Sequence, residues 1–204
     1  MRFNTAFKPS EEIAKKAILL SREIAKNNEA FFVLGEINFH PHVTIYSPEY
    51  PELNRNKILA TVEEIASKTK KAKFISKGLG TIKGFIGVYF ELTPEIKQLH
   101  EEIVNKLNPL RGGHIRDKWQ QGSDYHMEFS QEQKENIEKY GYPDAMGLYK
   151  PHLSIIRLKK EFLAETIASK LDWEIPQFVV NKLAVYKMGE HGTCKELVKE
   201  FNLK

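Results

Sequence analysis

Two short segments of the sequence nearly repeat each other, and this repeat constrains the fold more than any other feature of the chain. Residues 40–45 read HPHVTI, and residues 150–155 read KPHLSI. In each segment a proline directly precedes a histidine, an apolar residue follows it, and a hydroxyl residue stands two positions after it. Such a matched pair indicates two copies of one structural unit, each of which contributes a histidine and a hydroxyl group to a shared site.

Both segments have the alternation that is expected of a β-strand. Successive side chains of a strand point to opposite faces, so residues two positions apart share a face. The histidine and the hydroxyl residue of each segment therefore share one face, with apolar residues on the other: His42 and Thr44 against Val43 and Ile45, and His152 and Ser154 against Leu153 and Ile155. Proline is tolerated at the first residue of a strand, so we expect both strands to begin at the two prolines.

These motifs resemble the paired H-x-[ST]-x signature of the 2H phosphoesterase superfamily, and within it the group of 2'-5' RNA ligases and cyclic phosphodiesterases. Residues 74–92 are similar to the mid-chain hairpin of that family, and residues 183–203 are similar to its closing hairpin. The resemblance implies a bilobal α+β fold, in which two pseudo-symmetric lobes of antiparallel strands with outer helices flank a central cleft. The sequence has no low-complexity linker, so we expect residues 1–204 to form a single domain made of two lobes.

The composition fits such a domain and excludes several other classes of protein. Of the 204 residues, 41% are hydrophobic, which is enough for a substantial core. The single cysteine, Cys194, excludes an intramolecular disulfide and a cysteine-based metal cluster, and it favours a reducing, cytoplasmic setting. No run of about 18 apolar residues occurs, so we expect no membrane-spanning segment. The net charge of +4 suits a polyanionic substrate and equally an ordinary lysine-rich surface.

Periodicity and turn residues predict the remaining elements. Apolar residues at helical spacing predict helices near residues 10–27, 58–66, 94–107, 130–140 and 161–171. Aromatic and β-branched runs predict strands near residues 31–36, 42–46, 74–76 and 85–91, at the second motif, and on both sides of a turn near Gly189 and Gly192. Residues 111–127 have no clear period and contain three glycines, so we expect a long loop there.

Two neighbouring histidines can act as a general base and a general acid at neutral pH, because imidazole titrates near pH 6.5. In a phosphodiester displacement, one imidazole takes a proton from the attacking oxygen and the other gives a proton to the leaving oxygen. We assign His152 as the base on water and His42 as the acid on the leaving ribose oxygen, although the two roles can be exchanged. We expect Thr44 and Ser154 to donate hydrogen bonds to the non-bridging phosphoryl oxygens. This chemistry requires neither a metal ion nor another cofactor.

Six further residues are candidates for contacts with the substrate. They supply aromatic rings for stacking on a base, or positive charges for a phosphate: Tyr46, Tyr149, Trp119, Lys150, Arg111 and Arg116. For each of the aromatic residues, packing in the core is the alternative. Lys150 shares the face of the second histidine, but it can equally be a solvated lysine at the end of the strand. The two arginines can close over a nucleotide, or they can belong to a charged loop without a ligand.

The resemblance implies hydrolysis of 2',3'-cyclic phosphates at RNA or nucleotide ends, or the making and breaking of 2'-5' linkages. Two alternatives remain open: an RNA-end or nucleotide-binding module with little turnover, and a phosphoesterase that acts on a small cyclic or phosphonate-linked metabolite. In a third interpretation both histidines are core residues. His40 and His42 could ligate zinc from one strand face, but the sequence offers no obvious third ligand. The expected partner is RNA or a nucleotide, with no membrane and no obligate protein partner.

Overall fold

The structure is a computed structural model that describes residues 1–204 except for the side chain of Tyr125. The strands in this described part are β1 (Phe3–Lys8), β2 (Ala30–Val33), β3 (Val43–Tyr46), β4 (Ala72–Ile82), β5 (Phe85–Phe90), β6 (His152–Leu158), β7 (Gln177–Val180), β8 (Lys182–Met188) and β9 (Cys194–Asn202). The α-helices are α1 (Glu11–Ala25), α2 (Arg55–Lys68), α3 (Pro94–Leu107), α4 (Asp124–Met127), α5 (Gln131–Tyr140) and α6 (Leu163–Ala168). Among the described residues, no helix is long and apolar enough to cross a membrane.

The longer helices begin at polar residues that cap them. Ser10 precedes α1, and its hydroxyl accepts a hydrogen bond from the backbone N–H of Ile13 at 3.4 Å. Thr93 caps α3 in the same way by accepting from the N–H of Ile96, and Pro94 fills the first helical position, where an N–H has no partner in any case. Both helices bury an apolar face, as the spacing in the sequence predicts.

The strands form one sheet in the order β7-β4-β5-β6-β3-β1-β8-β9, and β2 also pairs with β6. Each pairing is antiparallel. The strands that carry the two motifs, β3 and β6, are neighbours at the centre of this order, where Val43 pairs with Leu153. Two halves of four strands therefore meet at a seam, with one motif on each side of it. This arrangement confirms the α+β fold with two related halves.

One face of the sheet carries the main hydrophobic core and packs against α1, α2 and α3. The apolar motif residues Val43, Ile45, Leu153 and Ile155 are fully buried in this core. The opposite face carries a smaller, separate cluster made of Ala6, Ala184, Tyr186 and Cys194. The alternation within the motifs therefore directs the histidines and hydroxyl residues to the face with the smaller cluster.

The structure differs from the predicted elements in three places. Two strands were not predicted: β1, which lies inside the sheet between β3 and β8, and the short edge strand β7. Because both faces of β1 are covered, its residues lack the apolar and polar alternation that reveals a half-exposed strand. The expected long loop at residues 111–127 instead contains a 3-10 turn at Asp117–Trp119 and the whole of the short helix α4, which Ser123 caps. Short, locally capped turns of this kind have no period for a sequence window to detect.

Candidate active site

The register of the two central strands brings the motifs together. Val43 pairs with Leu153, and both side chains point into the core. Extending this antiparallel register by one residue in each direction places each histidine across from the hydroxyl residue of the other motif: His42 opposite Ser154, and Thr44 opposite His152. Each imidazole thus has one hydroxyl group two residues away on its own strand and a second hydroxyl group on the neighbouring strand.

The two imidazoles are oriented by the same kind of hydrogen bond. His42 Nδ1 lies 2.7 Å from the carbonyl oxygen of His40, and His152 Nδ1 lies 2.9 Å from the carbonyl oxygen of Lys150. A carbonyl oxygen can only accept a hydrogen bond, so Nδ1 carries the hydrogen in both rings. The bond fixes the ring and leaves Nε2 as the nitrogen that can exchange a proton with a substrate in each motif.

The two catalytic candidates differ in burial. His42 is buried, with 8% of its surface exposed, whereas His152 is half-buried. Burial lowers the pKa of His42 to about 4, while the hydrogen bond to the His40 carbonyl opposes this shift and positive charge on His152 or His40 adds to it. His42 is therefore neutral at pH 7, and its Nε2 can accept a proton.

A buried amide that the sequence analysis missed holds the hydroxyl group of the first motif. Asn4, on β1, is fully buried, and its Nδ2 donates to Thr44 Oγ1 at 2.8 Å and to the Cys194 sulfur at 3.4 Å. Because the Thr44 oxygen accepts this bond, its own hydrogen remains available to donate to another acceptor. Asn4 thus prepares Thr44 as a donor toward the face where the histidines lie.

An aromatic ring lies beside each motif histidine. The ring of Tyr89 lies 5.6 Å from that of His152, and the ring of Tyr186 lies 6.2 Å from that of His42, measured between centroids. Gly80 makes the position of Tyr89 possible, because a Cβ at this residue would come within 2.7 Å of the tyrosine ring. The two rings, from β5 and β8, limit the directions in which the imidazoles can turn.

Behind the site, His100 and Tyr149 connect the two motifs. Tyr149, which directly precedes the second motif, donates its hydroxyl hydrogen to the carbonyl oxygen of Thr44 at 2.9 Å. The ring of His100 stacks on Tyr149 at 3.9 Å, donates from Nδ1 to the carbonyl oxygen of Ile45 and accepts at Nε2 from the N–H of Met146. These contacts fix the chain before the second motif against the strand of the first.

Three residues that were expected to contact the substrate belong to the scaffold instead. Tyr46 and Tyr149 are buried, and their hydroxyl groups donate to backbone carbonyl groups, so neither ring has a face for a base. Arg111 is buried as well, and its guanidinium donates to Asn108 and to the carbonyl oxygens of residues 114, 138 and 139. The expected substrate contacts of Tyr46, Tyr149 and Arg111 are therefore corrected: all three stabilise the fold around the site.

The other three candidates have different surroundings. Lys150 has an exposed side chain beside the second motif, and its contact with substrate stays a prediction. Arg116 and Trp119 are both buried, and the guanidinium carbon of Arg116 lies 4.2 Å above the Trp119 ring. Contacts of these two residues with substrate also stay predictions.

The proposed pairing of His40 with His42 as metal ligands finds no support in the geometry of the side chains. Among the described residues, no three His, Cys, Asp or Glu side chains are grouped closely enough to hold a metal ion. His40 instead lies beside Tyr186, with ring centroids 5.6 Å apart, and its backbone N–H donates to the carbonyl oxygen of Cys194. The described residues thus do not add a third ligand to the two histidines.

A family model described as the 2'-5' RNA ligase superfamily matches residues 37–192, a span that contains both motifs. The chain belongs to the 2'-5' RNA ligase superfamily. This membership confirms the resemblance to the 2H phosphoesterase superfamily. No curated protein matches the sequence.

Solved structures of similar fold include TT0787 of Thermus thermophilus, at 15% identity and a TM-score of 0.61, with 100% of this chain and 98% of that chain covered. Escherichia coli LigT complexed with 3'-AMP has 10% identity and a TM-score of 0.56, with 100% and 98% covered. A protein described as a phosphoesterase has 11% identity and a TM-score of 0.56, with the same coverage. At these identities the likeness shows a common fold over the whole chain.

Members of the 2'-5' RNA ligase superfamily are phosphoesterases and RNA ligases that act on RNA or nucleotides. Membership therefore supports, in general terms, an enzyme of phosphodiester chemistry at RNA or nucleotide ends. Both motifs lie within the matched residues, side by side on β3 and β6.

Proposed function

We propose that this protein is a metal-independent phosphodiesterase that hydrolyses 2',3'-cyclic phosphates at the ends of RNA or nucleotides, with 2'-5' linkages as the related class of substrate. The observation that carries this proposal is the matched orientation of His42 and His152, whose Nδ1 atoms both donate to a carbonyl group two residues earlier. Both Nε2 atoms are thereby left for proton transfer. Binding alone would not need two imidazoles prepared in this way.

The difference in burial suggests which histidine is the base. His42 is neutral at pH 7, so it suits removal of a proton from the attacking water. As the water oxygen bonds to phosphorus, the bond from phosphorus to one ribose oxygen breaks, and protonated His152 gives its proton to that oxygen. The half-buried His152 regains a proton from solvent, and His42 releases the one that it took. This assignment exchanges the roles that the sequence analysis gave to the two residues.

Thr44 and Ser154 complete the mechanism as donors to the non-bridging oxygens. Negative charge on these oxygens must be stabilised as the transition state forms, and a preorganised hydroxyl donor does so without having to reorient. Thr44 is oriented by Asn4, whose amide N–H donates a hydrogen bond to the hydroxyl oxygen of Thr44. Each hydroxyl group also lies opposite the histidine of the other motif, so a phosphate placed between the strands would meet all four side chains.

The comparisons support a nucleotide as the substrate. Escherichia coli LigT, which has a similar fold, has been solved with 3'-AMP, a nucleotide with a phosphate on a ribose hydroxyl. A nucleoside 3'-phosphate is one of the two products that opening of a 2',3'-cyclic phosphate can give. We therefore take the ribose end of RNA as the group that enters the site.

The test is hydrolysis of a short RNA that ends in a 2',3'-cyclic phosphate, measured in EDTA for the wild type, His42→Ala and His152→Ala. We expect turnover by the wild type and a loss of about 10² to 10⁴ in each variant, because each loses one proton-transfer group. Circular dichroism and thermal unfolding check that the variants are folded. The product, a 2'- or a 3'-phosphate, identifies the bond that breaks. No turnover by folded wild type, or wild-type rates in both variants, would contradict the proposal.

A further inference from the structure

Two arginines, one just before β1 and one on β6, reach the tip of the β8–β9 hairpin. The tip is the 3-10 turn Glu190–Gly192. Arg2, just before β1, donates from Nη2 to the carbonyl oxygen of Gly189 at 3.0 Å, and Arg157 on β6 has Nη1 3.3 Å from His191 Nδ1. The hairpin tip therefore lies between cationic side chains that come from two different parts of the sheet.

Arg116 adds a third guanidinium to this group. The charges of Arg2, Glu49 and Glu190 all act on its pKa, so it lies near the hairpin tip. Arg116 is only 8% exposed, and its guanidinium carbon lies 4.2 Å above the Trp119 ring. Burial and the charge of Arg2 lower the pKa of Arg116 to about 10, so the side chain is still cationic at pH 7. Burial of a cation near a second guanidinium is unfavourable, and it indicates a position prepared for an anion.

The carboxylates that pair with Arg2 and Arg157 neutralise these two arginines only weakly. Glu190 lies 3.4 Å from Arg2 but is 81% exposed, and Glu161 lies 3.5 Å from Arg157 and is 54% exposed. Ion pairs with such exposed partners contribute little. In addition, the buried Nε atoms of Arg2 and Arg157 have no acceptor among the described residues. We call Arg2, Arg116 and Arg157 the arginine cluster.

The arginine cluster adjoins the catalytic groups. Arg2 is two residues before Asn4, so the two residues share a face of the sheet at a separation of about 6.6 Å along the strand. Asn4 in turn holds Thr44. Arg157 follows Ser154 by three residues on β6, and a β-bulge between them changes the alternation. The cluster and the catalytic residues are therefore linked through both β1 and β6.

We propose that the arginine cluster binds a second phosphate group of the substrate, next to the cyclic phosphate that reacts at the histidines. Arginine suits this role because its planar guanidinium can donate two parallel hydrogen bonds to a phosphate. The proposal rests on the proposed function and narrows its substrate class. The preferred substrate carries either a 5'-phosphate on the terminal nucleotide or the phosphodiester of the preceding nucleotide, and a cyclic nucleoside phosphate without a second phosphate is a poor substrate.

Kinetics on three substrates test the proposal and separate the two sources of the second phosphate. The substrates are adenosine 2',3'-cyclic phosphate, the same compound with a 5'-phosphate, and the dinucleotide ApA with a terminal 2',3'-cyclic phosphate. We expect one or both of the larger substrates to have a kcat/KM higher by about tenfold or more, mainly through a lower KM, as is typical of charge-assisted hydrogen bonds. Equal kcat/KM values for all three substrates would overturn the proposal.

Charge-removing variants locate the site. We expect Arg116→Gln to abolish most of the preference for the second phosphate, measured as the ratio of kcat/KM values. Arg2→Gln changes a more exposed side chain and provides the same test if Arg116→Gln does not fold. Lys15→Gln is the matched control, because it removes an exposed charge from α1, which covers the other face of the sheet. A preference that survives in both arginine variants, or that is lost equally in the control, would overturn the assignment.

A binding measurement makes the test independent of turnover. Isothermal titration calorimetry compares adenosine 3',5'-bisphosphate with adenosine 3'-monophosphate on the wild type, Arg116→Gln and Arg2→Gln. We expect the wild type to bind the bisphosphate about tenfold or more tightly, and the variants to lose this difference. If this result appears without any hydrolysis of cyclic phosphates, the proposed function fails and the phosphate site stands. If hydrolysis occurs but both ligands bind equally, the phosphate site fails and the proposed function stands.

Discussion

At the scale of single residues, the site depends on hydrogen bonds that determine which nitrogen or oxygen can donate or accept a proton, and not on unusual residue types. The carbonyl oxygens of His40 and Lys150 set the tautomer of the two histidines, and the amide of Asn4 sets the direction of the Thr44 hydroxyl. The motifs themselves were readable from the sequence, because a histidine and a hydroxyl at a spacing of two share a strand face. The role of Asn4 could not be predicted, because a single asparagine in a short strand belongs to no recognisable sequence pattern.

Replacing Asn4 by Ala should lower kcat by about tenfold, with a smaller effect on KM, because the Thr44 hydroxyl loses the bond that orients it. Replacing Thr44 by Ala should lower kcat by about 10² to 10³, as is typical of the loss of one oxyanion donor. If Asn4 acts through Thr44, the double variant should be little slower than Thr44→Ala alone. A double-mutant cycle in kcat, with thermal unfolding as a check on folding, measures this coupling, and strictly additive effects would show that Asn4 has only a structural role.

At the scale of elements, prediction succeeded where the sequence had a local signal. Helices α1 and α3 begin at Glu11 and Pro94, close to the expected residues 10 and 94. The motif strands were expected to begin at the two prolines, and β3 begins two residues after Pro41 and β6 one residue after Pro151. Strand β1 was missed because both of its faces are covered, one by the core and one by the cluster around Ala6. The roles of Tyr46 and Arg111 could not be predicted either, since each donates to a carbonyl group that is far along the chain, at residue 140 and at residues 138 and 139 respectively.

His100 connects α3, β3 and the turn before the second motif, and it does so in the neutral form. Burial lowers its pKa to about 4, compared with about 6.5 in an unfolded chain. The unfolded state therefore binds more protons between these two values, so this contribution to stability is complete above pH 6.5 and is lost as the pH falls through 4. Protonation of Nε2 would also break the hydrogen bond from the N–H of Met146.

The free energy of unfolding of the wild type should fall between pH 7 and pH 4.5, and we expect this fall to be smaller by roughly 2 kcal/mol in His100→Gln. The glutamine amide can donate and accept hydrogen bonds but does not titrate. Urea unfolding at the two pH values measures this difference. His42 contributes a loss of the same sign, so part of the pH dependence remains in the variant. His114→Gln, on an exposed side chain, controls for the substitution. An unchanged pH dependence in His100→Gln would show that His100 is not the titrating group.

At the scale of the whole molecule, the two motif histidines, which we propose as the catalytic pair, lie at the seam between two halves of one continuous sheet. The sequence predicted two related halves, because the motif occurs twice. It did not predict that each histidine would lie opposite the hydroxyl residue of the other motif. That arrangement follows from the pairing of Val43 with Leu153, which are far apart in the chain. The arginine cluster has the same origin: its members come from the start of the chain, from the segment after α3 and from β6, and only the fold brings them together.

The most direct test of the two-histidine mechanism is the pH dependence of kcat/KM for a 2',3'-cyclic phosphate substrate in EDTA, for the wild type and for His42→Ala. If His42 is the base, the rate of the wild type should persist as the pH falls below 6 and should decline only near pH 4, where His42 takes up a proton. The residual rate of His42→Ala should lack this decline. A decline near pH 4 that is the same in His42→Ala, or a rate in that variant equal to the wild type, would contradict the mechanism.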